Sequence, residues 1–129
     1  MKSGNMSVTK SEQVFPRRGD VYFVNLDPTV GSEINKTRPA VIVQNDQGNQ
    51  HSRTTIIAPI FSIKESSRAM PIFVILRHGE AGMEVESYIN CGQIRTVDIG
   101  ARLVRKIGVL SPTRMQEVDQ ALKISLGIK

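Results

Sequence analysis

The sequence predicts a mainly β domain closed by one C-terminal helix, a small and strongly bent sheet or barrel with the helix packed on it. Three features predict it. Short runs rich in β-branched and aromatic residues recur along the chain, each bounded by Gly, Pro, Asn or Asp. The apolar period turns helical only after Leu110. No internal repeat divides the chain, and 129 residues suit a single domain with its own core.

Residues 1–14 are rich in Ser, Asn, Lys and Thr with no apolar period, so they read as a flexible N-terminal arm, and 15–129 as the domain. From Gly19, Val21, Phe23 and Asn25 alternate with Tyr22, Val24 and Leu26 until Asp27-Pro28, which predicts the first strand. The second covers 38–44, where Ala40, Val41, Ile42 and Val43 form a near-continuous apolar run expected of a central strand buried on both faces. Pro39, with no N–H to donate, belongs at a strand start or edge. Residues 45–53 are polar and read as a surface loop.

A third strand is expected over 54–60, closed by Pro59, and 64–69 read as a mobile loop. Residues 72–76 make a short strand, and 78–82 a turn. Tyr88-Ile89 and 93–97 follow as strand pieces with Gly92 a bulge between them, and 104–110 as the last strand. Ser111 then caps a helix with Pro112 in its first position, and Met115, Val118, Leu122, Ile124 and Leu126 return at helical spacing before Gly127.

Composition narrows the function less. Seventeen basic against twelve acidic side chains give +5, compatible with a polyanionic partner, although the basic residues are spread rather than run together. One cysteine, Cys91, excludes a disulfide or a zinc cluster within the chain and fits a reducing compartment. No apolar run reaches the roughly 20 residues of a membrane span, and a cytoplasmic protein is expected. Tryptophan is absent, which argues against a row of stacking rings along a single strand and leaves Tyr22, Phe23 and Phe61 as platforms.

The densest chemistry lies in 31–46, where a polar loop enters the second strand. Lys36, Thr37 and Arg38 are phosphate-binding residue types, and Arg38 presents a planar fork of donors at a strand rim. A salt bridge from Arg38 to Glu33 or Asp46 is the plainer reading. His51 and His78 sit in polar surroundings and read as solvated.

Taken together, Arg18-Gly19-Asp20-Val21-Tyr22, Asp27-Pro28, Gly31-Ser32-Glu33, Arg38-Pro39-Ala40-Val41, Gln44-Asn45-Asp46 and Gln93-Ile94-Arg95-Thr96 closely resemble the MazF/PemK family of toxin endoribonucleases. The resemblance runs from about Arg17 to Ile128. It implies an SH3-like small β-barrel of the MazF/PemK/CcdB type. It also implies the toxin of a type II toxin-antitoxin system, an mRNA interferase cutting single-stranded RNA without metal or other cofactor. By the same resemblance 2′-hydroxyl attack leaves a 2′,3′-cyclic phosphate and a 5′-hydroxyl. The protein would be a homodimer, inhibited by a MazE-like antitoxin whose acidic disordered tail fills the RNA grooves.

The resemblance makes Arg38 the charge stabiliser and proton donor, with Glu33 orienting it or acting as base. Ser87 and Gln93 match RNA-binding positions, and Arg95 adds phosphate attraction; a polar sheet face is the alternative for all three. Two positions depart from the pattern. Phe61 stands where a threonine is usual, so that Ser62 either supplies the hydroxyl or the activity is altered, and Gly92 replaces a usual acidic residue. A non-catalytic toxin of the same fold that binds DNA gyrase, and a weakened member that binds RNA without cutting, are the rival readings.

Overall fold

The computed structural model describes residues 15–28, 36–63 and 69–129. The strands are β1 (Asp20–Asn25), β2 (Thr37–Ile42), β3 (Thr54–Ser62), β4 (Phe73–Leu76), β5 (Ser87–Asn90), β6 (Arg95–Asp98) and β7 (Leu103–Val109). Helices α1 (Asp46–His51), α2 (Ile99–Arg102) and α3 (Pro112–Leu126) and a 3-10 turn (Glu80–Gly82) complete the described chain. All pairings are antiparallel, in the order β4-β5-β3-β2-β1-β7, with β6 also on β3. The architecture is the mainly β sheet with a C-terminal helix that the sequence predicts.

β3 is the spine. It runs to Ser62, two residues past Ile60, where the sequence reading ended it. β5 and β6 follow the same edge of β3: between the pairs Ile60↔Ile89 and Ile57↔Arg95, β3 advances three residues and its neighbour six. The excess is looped out around Gly92, the predicted bulge, and Gln93 falls in that turn rather than in a strand. An added Cβ at Gly92 would stand 2.5 Å from Ile72 Cδ1, so a larger residue there would push the tip of that side chain aside.

Both faces of the sheet are buried. Val21, Val41, Ala58, Ile60 and Ile89 pack toward Val118 and Ala121 of α3. Tyr22, Val24, Leu26, Ala40, Ile42, Ile57 and Val97 form a second cluster on the other side. Two clusters explain the uninterrupted apolar run of β2, whose alternate side chains enter different cores. Tyr22 is thereby a core residue rather than a stacking platform.

Helix α1 corrects the expected loop over 45–53. Asn45 caps it, accepting from Gly48 N at 2.7 Å, and Asn49 is buried. The Asn49 side-chain oxygen accepts from Gln44 Nε2 at 2.9 Å and from Thr55 Oγ1 at 2.6 Å. This helix is held by side-chain hydrogen bonds instead of an apolar stripe, so periodicity could not show it. Helix α3 starts as expected, Ser111 Oγ accepting from Arg114 N at 3.2 Å with Pro112 in the first turn, and ends at Gly127 with φ 71°. Ile124 and Leu126, predicted on its apolar stripe, are exposed.

The sheet does not close into a full barrel, since β4 and β7 end the pairing order. The 3-10 turn bridges that gap: Gly82, at φ 82°, and Gly108 of β7 let the two backbones cross where any Cβ would strike Ile107 O or Ala81. No described helix is long and apolar enough to cross a membrane.

Candidate active-site cleft

A proline opens the sheet. The β2–β3 ladder runs from Ile42↔Ile57 to Ala40↔Pro59 and stops there, although both strands continue. Leu26 N donates to Lys36 O, which makes 26/36 a hydrogen-bonded pair; with alternation of pair types, Phe23↔Pro39 is a non-bonded pair. The nitrogen of Pro39 therefore faces β3, where it has no hydrogen to give. Pro59 turns its nitrogen the other way, toward β5, because Val43 N donates to Ile56 O and 40/59 is therefore a non-bonded pair. Beyond that rung the strands part.

The opening is a cleft of about 610 Å³. Arg38 and Pro39 form one lip and Ile60, Phe61 and Ser62 the other. Phe23 floors it, Arg105, Lys106 and Ile107 of β7 close one end, and 82–85 with Ser87 complete the wall. The Arg38 guanidinium lies over the Phe61 ring, Cζ 4.5 Å from its centroid. Phe61 stacks in turn on Tyr88 at 5.4 Å, and Tyr88 on Phe73 at 4.5 Å. The ring at the usual threonine position thus supports the arginine, backed by an aromatic ladder across β3, β5 and β4.

Ser62 pairs directly with Ser87 across the β3–β5 ladder, which brings two hydroxyl residues to the same end of the cleft. Ser87 is 3% exposed, and its Oγ donates to Val85 O at 2.8 Å. Lys106 Nζ is 3.3 Å from the Asp20 carboxylate, which is 5% exposed, so its charge is largely answered within the protein. Glu84 is the acidic residue of the lining against Arg38, Arg105 and Lys106. The cleft is basic.

The structure brings Arg38, Phe61, Ser62 and Ser87 together. Lys36, Thr37, Gln93 and Arg95 do not line the cleft. Lys36, at φ 73°, and Thr37 are exposed where the chain enters β2, Gln93 is exposed in its turn, and Arg95 Nη1 donates to Leu26 O at 3.0 Å. Glu33 lies outside the described residues, as do 1–14 and the 64–68 part of the expected mobile loop. Asp46, the alternative partner for Arg38, accepts the Arg18 N–H at 2.6 Å.

Sequence reasoning missed Arg105, Lys106 and Glu84. The adjacent pair Arg105-Lys106 in the middle of the last strand was a visible signal, because a central strand position seldom carries two cations unless an edge or a ligand receives them. Among the described residues no cluster of three or more His, Cys, Asp or Glu is placed to hold a metal ion. Burial pushes the Cys91 thiol up to about 12, which makes it an inert core residue.

Fold and cleft define a small open-barrel protein with a basic, ring-walled groove cut into its sheet. The chain belongs to the PemK-like, MazF-like toxins of type II toxin-antitoxin systems, whose family model matches residues 17–126. Among solved structures, MazF of Deinococcus radiodurans superposes with a TM-score of 0.77 at 21% identity, over 90% of this chain and 100% of that one. An endoribonuclease of a mycobacterial species in complex with its cognate antitoxin gives 0.72 at 24%, over 88% and 97%. A MazE-MazF structure from Deinococcus radiodurans gives 0.71 at 19%, over 91% and 100%. At these identities the likenesses establish the fold.

Proposed function

We propose that the cleft binds single-stranded mRNA in the cytoplasm and cuts it without a metal ion, the 2′-oxygen attacking the adjacent phosphorus as the P–O5′ bond breaks. The products are a 2′,3′-cyclic phosphate and a 5′-hydroxyl, the 2′-proton passing in net terms to the leaving oxygen. Membership of the toxin family supports the reading. So do the names of similar structures, an endoribonuclease and MazF proteins, some with antitoxins. The observation that carries it is Arg38 held on Phe61 at the mouth of the proline-opened seam, with Ser62 on the facing lip.

In this reading Arg38 stabilises the charge that builds on the phosphorane. A guanidinium keeps its proton too tightly to be a ready acid, so its work is electrostatic. Ser62, whose hydroxyl both donates and accepts, relays the proton in place of the usual threonine. Glu33 orients Arg38. Phe61 and Ser87 line the RNA path, and Lys36, Thr37 and Gln93 meet the strand where it runs beyond the cleft.

The protein acts as a homodimer, and a MazE-like antitoxin with an acidic disordered tail competes with RNA for the basic groove. Long single-stranded RNA incubated with protein in excess chelator should be cut at a recurring short sequence, as mapped by its new 5′ ends. Arg38→Ala should lower the rate on the order of 100-fold with the fold intact. Binding without cutting would replace the enzyme with a binding-only toxin.

A further inference from the structure

The cleft contains a second arginine seated on a phenyl ring. Arg105 Cζ lies 4.9 Å from the centroid of Phe23. Arg105, Phe23 and Pro39 form one transverse row across β7, β1 and β2, since Phe23 pairs with both of the others. The row crosses the cleft floor, with Arg38 leaning onto Phe61 at the seam and Arg105 standing on Phe23 at the β7 end.

The backbone around Arg105 is built irregularly. The β1–β7 register slips between Val21 and Tyr22 and again between Phe23 and Val24, leaving Ile107 and Val104 as extra residues on β7. The two slips bracket Arg105 and Lys106, and bulges re-aim the side chains beside them. Of the two cations, Lys106 is matched by buried Asp20, whereas Arg105 has a ring as its partner. Stacking engages the face of a guanidinium and leaves the in-plane donors, the geometry that suits two phosphate oxygens.

We infer that Arg105 is a second phosphate-binding residue of the cleft, holding a phosphodiester of the same RNA strand that Arg38 holds at the seam. Phe23 fixes its direction without cancelling its charge. The inference rests on RNA being the occupant, and it predicts a signature in binding that does not need cleavage.

The test measures affinity for a mixed-sequence single strand bearing 2′-O-methyl groups throughout, which cannot be cut by 2′-hydroxyl attack, over a range of salt concentrations. Each phosphate contact to a single strand contributes about 0.7 to the slope of log K against log salt. Arg105→Gln should weaken binding on the order of tenfold and make the slope shallower by about 0.7. Arg105→Lys should restore most of the slope, because it keeps the charge. An unchanged slope for Arg105→Gln, or a slope that Arg105→Lys does not restore, would overturn the assignment. Cleavage of unmodified RNA is scored separately: wild type that binds with the expected slopes and never cuts sinks the enzyme and leaves Arg105 standing. Wild type that fails to bind the oligonucleotide removes both.

Discussion

Two pairs of arginines meet opposite ends. Arg38 and Arg105 rest their guanidinium faces on Phe61 and Phe23 inside the cleft. Arg95 and Arg102 spend theirs on the main chain where β1 leaves the sheet: Arg95 donates to Leu26 O, and Arg102 to Asn25 O at 3.3 Å and to Asp27 O. A ring engages a guanidinium's face and a row of carbonyls its edge, so the second pair is clamped to a strand end while the first is poised over a groove. All four are the same residue in a basic chain, and only the atom each one meets separates the roles.

The sharpest way to break that contrast is at the seam. Arg38→Lys keeps the charge and loses both the planar fork and the stack, so kcat should fall by tens of fold, less than the loss in Arg38→Ala. Single-turnover cleavage of one RNA site reads it. Full activity in the lysine variant would mean that a point charge is enough and that the seat on Phe61 is incidental.

The facing lip comes next. Ser62→Ala should slow cleavage at least tenfold if its hydroxyl moves the proton. Phe61→Leu removes the ring beneath Arg38 at similar bulk and should cost about 0.5–2 kcal/mol of transition-state stabilisation, a few-fold to tens of fold in rate. Phe61→Thr should lose less than Phe61→Leu, because it installs the hydroxyl found at this position in the family pattern. A rate above wild type would show that the phenyl ring disables the site.

For the clamping pair the expected loss lies in stability. Arg95→Ala removes a charge-assisted bond to Leu26 O and should cost about 1.5–3 kcal/mol, read as a lower urea midpoint, while cleavage per folded molecule falls far less than in Arg38→Ala. A variant of full stability and lost RNA binding would move Arg95 into the substrate site after all.

This contrast also marks what the sequence can convey. Strands reach the eye through pattern: the alternation over Val21 to Leu26 marks β1, the unbroken apolar run Ala40 to Val43 is buried on both faces as expected, and Ser111, Pro112 and Gly127 bound α3 as their chemistry dictates. Arg38 stood out because Pro39 follows it, and the same proline parts β2 from β3. Helix α1 was hidden because Asn49, Gln44 and Thr55 fix it with hydrogen bonds that leave no period. The pair Arg105-Lys106 is visible in the sequence, but the place of Arg105 in the cleft is not, because it depends on two register slips against β1, and a slip is a property of two strands together.

A fifth arginine sets a lower limit for the comparison. Arg114 of α3 holds carboxylates: Nε and Nη2 reach Glu80 at 3.2 and 3.0 Å, and Nη1 reaches Glu117 at 2.9 Å. The hydrogen bond from Arg114, then that from the Arg77 backbone, pulls the Glu80 carboxyl below its ordinary value of 4.5. A carboxyl whose folded pKa is lowered adds stability above its unfolded value and loses it as pH falls through the folded one. Glu80→Gln should therefore lower the urea midpoint slightly at pH 7, with the difference from wild type closing as pH drops below about 4.5. The effect is the smallest expected here because the pair is solvent-screened. A difference that persists in strong acid would trace to the shape of the 3-10 turn, which Glu80 also braces by accepting Arg77 N–H at 2.6 Å, and would make this arginine another clamp on backbone geometry.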